Sequence, residues 1–413
     1  MPLHVLKFGG TSVGSLKRIE NVAEILIERS KKADVVAVVS AMSGETDHLL
    51  QNAQYFSQSP SREELDVLLC TGEQKSVALL SICLQSRGAK SQSFLGSQIK
   101  IKTDSDHNRA RIQSIDDQKI RQALNEKKIV VIPGFQGVSP EERLTTLGRG
   151  GSDTSAVAIA AALKADLCEI YTDVEGVFTT DPNVEPNARK LSKITFDEML
   201  ELASLGAKVL QTRSVEFAKK YKIPIHVRST FKNVIGTWVV EAMDSMESLV
   251  VSGITYTKNE AKVVVEGLPN RLGLAADLFE LLGREGILVD VIVQNVSTEG
   301  RSDISFTVPR DELTRALGIL EKNQKDLGHR RASGDPHISK VSIIGNGMRS
   351  HSGVAAQAFR ALAQEGVDIQ MISTSEIKIS CVVDEAKSKQ AVRALHASFG
   401  LDKIPVSEVN DFL

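Results

Sequence analysis

Lys7 stands one residue from the end of the apolar run Leu3–Phe8, which is followed at once by Gly9-Gly10-Thr11-Ser12. Glycines without a Cβ let backbone N–H groups approach an anion closely, and a helix start behind them adds partial positive charge. An ammonium delivered by the strand end can meet the same anion. The lysine comes before the glycines, so this is not the G-x-x-x-x-G-K-[ST] phosphate loop. Taken alone, such a turn is as often structural.

A second stretch, TTLGRGGSDTSA from Thr145 to Ala156, sets Arg149 among Gly148, Gly150 and Gly151. An arginine so flanked suits a two-pronged grip on a carboxylate or phosphate. Ser152 or Asp153 stands where the N-cap of a helix Thr154–Leu163 is expected. That helix is apolar on nearly every face, which predicts burial. A capped helix with a surface arginine is the plainer alternative. Asp153 beside phosphates is unfavourable unless it organises a lysine or meets Mg2+ through water, and capping is compatible with either.

The remaining candidates are polar side chains in glycine-containing stretches. YTDVEGVFTTDPN carries Thr172, Asp173, Asp181 and Pro182, which suits a ribose or base contact or simple turns. SAMSGETD offers the small polar side chains Ser40, Ser43, Thr46 and Asp47, suited to a polar small molecule. LLCTGEQKS is expected to break a helical run at Thr71-Gly72, leaving Glu73 to meet an amine or to sit solvated at a helix end. Lys208 follows Gly206 at an apparent helix start, where its charge could complement a phosphate.

What positions these groups is a strand–helix alternation up to about residue 230. Strands are expected at Leu3–Phe8, Val35–Ser40, Ile129–Phe135, Leu167–Thr172 and Ile225–Arg228. Helical periods lie between them, such as Ile19, Val22, Ala23 and Leu26. This pattern predicts a mainly parallel sheet with helices on both faces and its ligand site at the carboxyl ends of the strands. Four of the strands run into polar loops containing glycine (GGTS, SAMSGETD, PGFQG and TDVEG), so the loops share one sheet edge.

The chain has 413 residues, enough for more than one domain, and a formal net charge of −2, which argues against a broad polyanion-binding surface. Aromatic residues are 4%, too sparse for base-stacking platforms. The four cysteines show no metal-ligand spacing and read as reduced, mostly buried thiols. No signal peptide or membrane-spanning apolar run is evident, so a soluble cytoplasmic protein is expected.

After residue 230 a duplication emerges. Gly273, Glu285-Gly286 and Asp290 recur 80 residues later as Gly353, Glu365-Gly366 and Gln370. Each copy reads strand, turn, helix, strand, strand, helix, a period too long for a solenoid and suited to a duplicated small α+β domain. KDLGHRRASGDPH between them reads as a linker.

K-F-G-G-T-S, S-A-M-S-G-x-T-D, T-G-E, G-F-Q-G, T-L-G-R-G-G-S-D-T-S-A, Y-T-D-V-x-G-V-x-T-x-D-P and R-S-V-E-x-A together resemble the aspartate kinase family along the whole chain. The length matches the monofunctional form. The resemblance implies an amino acid kinase fold at 1–245 and tandem ferredoxin-like ACT regulatory domains at 261–335 and 336–413. Residues 246–260 are a candidate strand to complete the second of these. It implies ATP-dependent phosphorylation of the L-aspartate side chain to 4-phospho-L-aspartate, the first step toward lysine, threonine and methionine, with Mg2+ carried by ATP and no resident metal. By analogy Lys7, Phe8, Gly9, Gly10, Ser152, Thr172, Asp173, Phe178, Asp181, Pro182 and Lys208 serve ATP. Ser40, Thr46, Glu73, Arg149, Gly150, Gly151 and Ser152 serve aspartate, with Glu73 on its ammonium and Arg149 on its α-carboxylate. Lys7, Asp153 and Lys208 are the implied catalytic set, Asp153 orienting the lysines.

The paired ACT domains imply feedback by lysine, threonine or both, and a symmetric homo-oligomer. The implied effector residues are Asn270, Gly273, Leu274, Ala275, Asp290, Gln294, Ile369, Gln370 and Glu376. Three features depart from the family pattern: Asn270-Arg271-Leu272-Gly273 in place of D-x-P-G, Ser352 where proline is common, and Phe178 where tyrosine is frequent. The rival readings are a kinase of another acidic substrate and a non-catalytic amino-acid sensor.

Overall fold

Unbroken apolar runs such as Val35–Val39 and Ile129–Ile132 have no polar face to show to water, so they fold only where both sheet faces are covered. The structure, a computed structural model, describes residues 1–206, 209–241, 250–296, 300–349 and 351–403. It divides into two units, Met1–Val177 with Lys190–Asp244, and Phe178–Arg189 with Ser245–Leu413.

The first unit holds an eight-stranded sheet in the order Lys193–Thr195, Thr237–Val240, Ile225–Ser229, Leu167–Thr172, Leu3–Phe8, Asp34–Val39, Ile129–Pro133, Ser91–Ser93. Every neighbouring pair is parallel except Ile225–Ser229 with Thr237–Val240. Leu6 and Phe8 pack with Ile19, Val22 and Leu26 of helix Leu16–Ser30 and with Leu80 and Leu84 of helix Arg62–Ser86. Strand periodicity of two then sends Lys7 to the opposite face, where helix Gly151–Leu163 lies against the same strand. A small side sheet of Lys102–Thr103, Ile112–Ser114, Gln136–Val138 and Leu144–Thr146 carries the chain into the Arg149 loop.

Several local expectations are corrected. Helix Arg62–Ser86 runs unbroken for 25 residues through Thr71-Gly72. Glycine costs a helix about 1 kcal/mol, but a Cβ at position 72 would stand 3.0 Å from that of Ala41, so the gap serves close packing. This helix is also long and apolar enough to cross a membrane by length and composition, contrary to the sequence reading. Half of its apolar window is buried within the protein, and Asp66 and Glu73 lie on its buried face. The N-cap of helix Gly151–Leu163 is Gly150, in the left-handed region at φ 70°, so Ser152 and Asp153 fall inside its first turn. The expected linker contains strand Arg331–Asp335, which pairs with Glu260–Pro269.

The second unit contains two four-stranded antiparallel sheets. One runs Ile292–Val296, Arg301–Pro309, Glu260–Pro269, Arg331–Asp335, and the other Gly253–Thr257, Ile338–Ile344, Lys378–Asp384, Met371–Thr374. Leu274, Leu278 and Leu282 fill the first core with Phe306 and Val308, and Val354, Ala358 and Leu362 fill the second with Val341 and Leu395. Segment Phe178–Arg189 is part of the second core: Val184 is buried in it, Ile254 N–H donates to the Thr179 carbonyl at 2.7 Å, and Arg393 Nε donates to the Val184 carbonyl at 2.9 Å. All four cysteines are free thiols, three of them buried.

Lys340 is 4% exposed and bonds Glu260, at 2.5 Å, and Asp290. Burial alone would lower its pKa, but the two carboxylates more than offset that and hold it above the ordinary lysine value. Its pairing is therefore intact through neutral pH and is lost only as the pH rises past that raised value. Lys340→Met is expected to destabilise the second unit by about 3 kcal/mol, because it strands a mostly buried carboxylate. Denaturant unfolding of the full chain checks this, and an unchanged midpoint would refute it.

Candidate active site

The site is built from loops leaving the carboxyl edge of the parallel sheet. After Phe8 the chain turns so tightly that Ser12 N–H donates to the Gly9 carbonyl at 2.9 Å, and Gly9 N–H reaches the Tyr171 carbonyl at 3.3 Å. A Cβ on Gly10 would meet the Ala41 carbonyl at 3.0 Å, so the first loop is held close to the one that follows Val39. Ser40 N–H in turn donates to the Phe8 carbonyl at 3.1 Å. Thr46 lies in the first turn of helix Glu45–Phe56, half-buried.

Lys7 Nζ stands 2.6 Å from Asp153 Oδ1, and both side chains are about nine-tenths buried. The strand supplies the lysine and the start of helix Gly151–Leu163 supplies the acid. The acid fixes where the ammonium points, and the helix N-terminus lends partial positive charge to the same place. Gly151 and Ser152 are buried in that first turn. Arg149, just before it, is exposed and makes no hydrogen bond or ion pair among the described residues, so its guanidinium is available to a ligand.

Glu73 is 3% exposed. Its Oε1 accepts from Ala41 N–H at 3.0 Å, while Oε2 is buried with no hydrogen-bond partner among the described residues. Burial raises its pKa to about 7, with the Ala41 hydrogen bond partly opposing. A buried carboxylate oxygen without a partner is costly, and an incoming cation would relieve that cost.

Thr172 ends the Leu167–Thr172 strand and Asp173 follows it, with Thr172 Oγ1 donating to Asp173 Oδ1 at 3.1 Å. Phe178, Asp181 and Pro182 belong to the second unit. Asp181 Oδ1 accepts from Asn183 N–H at 2.9 Å and from its amide Nδ2 at 3.0 Å, the turn-forming alternative for that acid. Lys208 lies outside the described residues.

In the second unit, a cavity of about 380 Å3 is lined by Asn270, Gly273, Leu274, Ala275 and Gln294 among others. Gly273 and Gly353 cap their helices in the left-handed region at φ 84° and 95°, so both turns form despite the altered neighbours. Asp290 and Gln370, expected to be available, are engaged within the chain by Lys340 and Lys262. Ile369 packs on the second core. Sequence reading missed both lysines; their only signal was that Glu260 and Lys340 hold equivalent places in the 80-residue repeat, as do Asp290 and Gln370.

Residues 2–229 match the amino acid kinase family, and residues 262–324 and 341–399 match the ACT domain. The chain is 53% identical over 404 residues to an aspartate kinase of Pseudomonas putida, covering 97% of this chain and 98% of that one. It is 48% identical to an aspartokinase of Geobacillus stearothermophilus, covering 97% and 98%. Among solved structures it resembles Escherichia coli aspartokinase III in complex with aspartate and ADP, with TM-score 0.79 and 26% identity over 96% of this chain and 99% of that one. The same enzyme in complex with lysine and aspartate gives TM-score 0.74 at the same identity and the same coverage of both chains. A full-length match at this identity, joined to a buried lysine–aspartate pair beside a glycine turn, places the chain in the aspartate kinase family.

Proposed function

We propose that the chain moves the γ-phosphoryl group of ATP to the side-chain carboxylate of L-aspartate. A carboxylate oxygen forms the new P–O bond, the bond to the β–γ bridging oxygen breaks, and ADP leaves. The observation that carries the substrate class is the partnerless, buried Oε2 of Glu73, which suits the ammonium of an α-amino acid, with Arg149 for its α-carboxylate. The nucleophile, with an unperturbed pKa of about 3.9, is ionised at neutral pH and needs no general base. The chemical difficulty is bringing an anion to a polyanion. Lys7 held by Asp153, the backbone N–H groups at Gly9 and Gly10, and Lys208 address it. Ser40, Thr46, Gly150, Gly151 and Ser152 surround aspartate. Phe8, Thr172, Asp173, Phe178, Asp181 and Pro182 serve the nucleotide.

No group of three or more His, Cys, Asp or Glu side chains is placed to hold a metal among the described residues. In the proposed reaction Mg2+ would arrive on the nucleotide's phosphates, which supply the oxygen ligands it takes in phosphoryl-transfer sites. The working place is the cytoplasm, where ATP is available. The intact Lys7–Asp153 pair speaks against a sensor that has lost catalysis.

ADP release measured with L-aspartate, L-glutamate, acetylglutamate, carbamate and UMP tests the reading. Turnover is expected with L-aspartate alone, and turnover with another acid but not aspartate would overturn it. Feedback through the second unit, with lysine or threonine at Asn270, Gly273, Leu274, Ala275, Gln294 and Glu376 and a homo-oligomer formed through the ACT domains, completes the proposal. Inhibition is expected when the two amino acids are added singly or together. Full activity at millimolar levels of both would remove this part.

A further inference from the structure

We propose that Asp66 is a positioning residue for aspartate recognition, tying the loop that carries Arg149 to the helix that carries Glu73. This rests on the reading that these two residues hold the substrate. Asp66 is fully buried. It precedes Glu73 by seven residues on helix Arg62–Ser86, two turns along the same face. Its carboxylate accepts four hydrogen bonds: Oδ2 from His107 Nδ1 at 2.8 Å and Asn108 N–H at 3.1 Å, and Oδ1 from Asn108 Nδ2 at 2.6 Å and Thr146 Oγ1 at 2.5 Å. An ionised carboxylate only accepts, so the His107 Nδ1 carries the proton in this pair.

Every donor lies in one of two short stretches that brace the Arg149 turn. Thr146 precedes Arg149 by three residues, and its carbonyl accepts from Ala110 N–H at 2.9 Å. Arg213 clamps both stretches, donating to the Leu147 carbonyl at 3.1 Å and the Ala110 carbonyl at 2.8 Å. Asn108 is held in the left-handed region at φ 69°, and its carbonyl would lie 3.1 Å from a Cβ on Gly148. The backbone leading into the turn is thus fixed, while the Arg149 side chain remains unpaired among the described residues.

A buried carboxylate with four donors is a costly way to fill space that an apolar side chain could fill. What it adds is a fixed distance and direction between two anchor groups. Aspartate presents its ammonium and α-carboxylate on one carbon, so small errors between Glu73 and Arg149 weaken its grip directly. Displacements near 1 Å can cost about 100-fold in rate or affinity. The nucleotide loops make none of these bonds and are expected to be unaffected.

Asp66→Asn turns one acceptor oxygen into a donor facing donors. The expected result is a KM for L-aspartate raised tenfold or more, by about 10- to 100-fold, with the KM for ATP within about twofold and kcat within about threefold of the parent. Thr146→Val removes one donor at constant shape and should give a smaller shift of the same kind, while Thr146→Ser, which keeps the hydroxyl, should restore the parent value. If Asp66→Asn does not fold, the Thr146 pair decides. Loss of kcat in proportion to folded protein, with both KM values unchanged, would make Asp66 merely structural and overturn the proposal, as would equal values for Thr146→Val and Thr146→Ser. Arg149→Ala separates the two levels. If it leaves the KM for aspartate unchanged, the substrate reading itself fails. If it raises that KM while Asp66→Asn does not, only the positioning role fails.

Discussion

Lys7→Ala is expected to lower kcat by about 1,000-fold while the KM for L-aspartate stays within about threefold. The asymmetry follows from where the charge develops. In the ground state an ammonium near the phosphates is one contact among several. In the transition state, negative charge gathers on the oxygens of the transferring group, and a fixed cation in a water-poor site is worth most there. Lys7 is fixed: it lies 2.6 Å from Asp153, at about one-tenth exposure, on a strand hydrogen-bonded on both sides. Removing it would also leave Asp153 as a buried, unpaired carboxylate, and in the proposed site that carboxylate would repel the phosphates. Part of the defect should therefore be recovered in Lys7→Ala with Asp153→Asn, whereas Asp153→Asn alone should impair turnover by freeing the lysine. A double-mutant cycle measures that coupling. Wild-type turnover by a folded Lys7→Ala protein would sink the assignment of phosphate handling.

What the sequence discloses is set by how local the cause is. Strands Leu3–Phe8 and Leu167–Thr172 have the bounds that their apolar runs predict, since burial on both faces leaves a continuous local signal. The shared loop edge follows from parallel pairing alone. The helix break that Thr71-Gly72 suggests does not occur in helix Arg62–Ser86, because the reason for that glycine, close approach to Ala41, lies 31 residues away. Side-chain preference points to Ser152 or Asp153 as the cap of helix Gly151–Leu163, but the turn needs a left-handed residue there and Gly150 supplies it. Strand Arg331–Asp335 has too few apolar residues to announce itself and is recruited by its partner Glu260–Pro269. Asp66 sat unremarked in a run of leucines because its donors arrive from 41, 42 and 80 residues away. Its one visible signal is an acid spaced seven residues before Glu73 in an apolar helix. Asp290 and Gln370 show the converse: right residue types at the repeat positions, already bonded to lysines that only the tertiary structure brings near.

Glu73→Gln is expected to raise the KM for L-aspartate by about 100-fold, the scale for removing one partner of a desolvated charge pair. It also changes how that KM depends on pH. In the free protein, burial raises the Glu73 pKa to about 7. The substrate ammonium needs the ionised form, so affinity is full above that value and falls as pH drops through it. The KM should then rise about tenfold per pH unit below the pKa. Once aspartate is bound, its ammonium stabilises the carboxylate and draws the Glu73 pKa down. The dependence is therefore a property of kcat/KM, which reports the free enzyme, and should be absent from kcat over the same range. Glutamine cannot ionise, so the variant's KM should be high and flat with pH. A wild-type KM for aspartate that stays constant from about pH 6 to about pH 8 would show that Glu73 is not the group that receives the ammonium. A steep dependence that persists in Glu73→Gln would place the titrating group elsewhere. The carboxylate thus carries two linked costs of burial, a raised pKa and an oxygen without a partner among the described residues, and an ammonium docked there would relieve both at once.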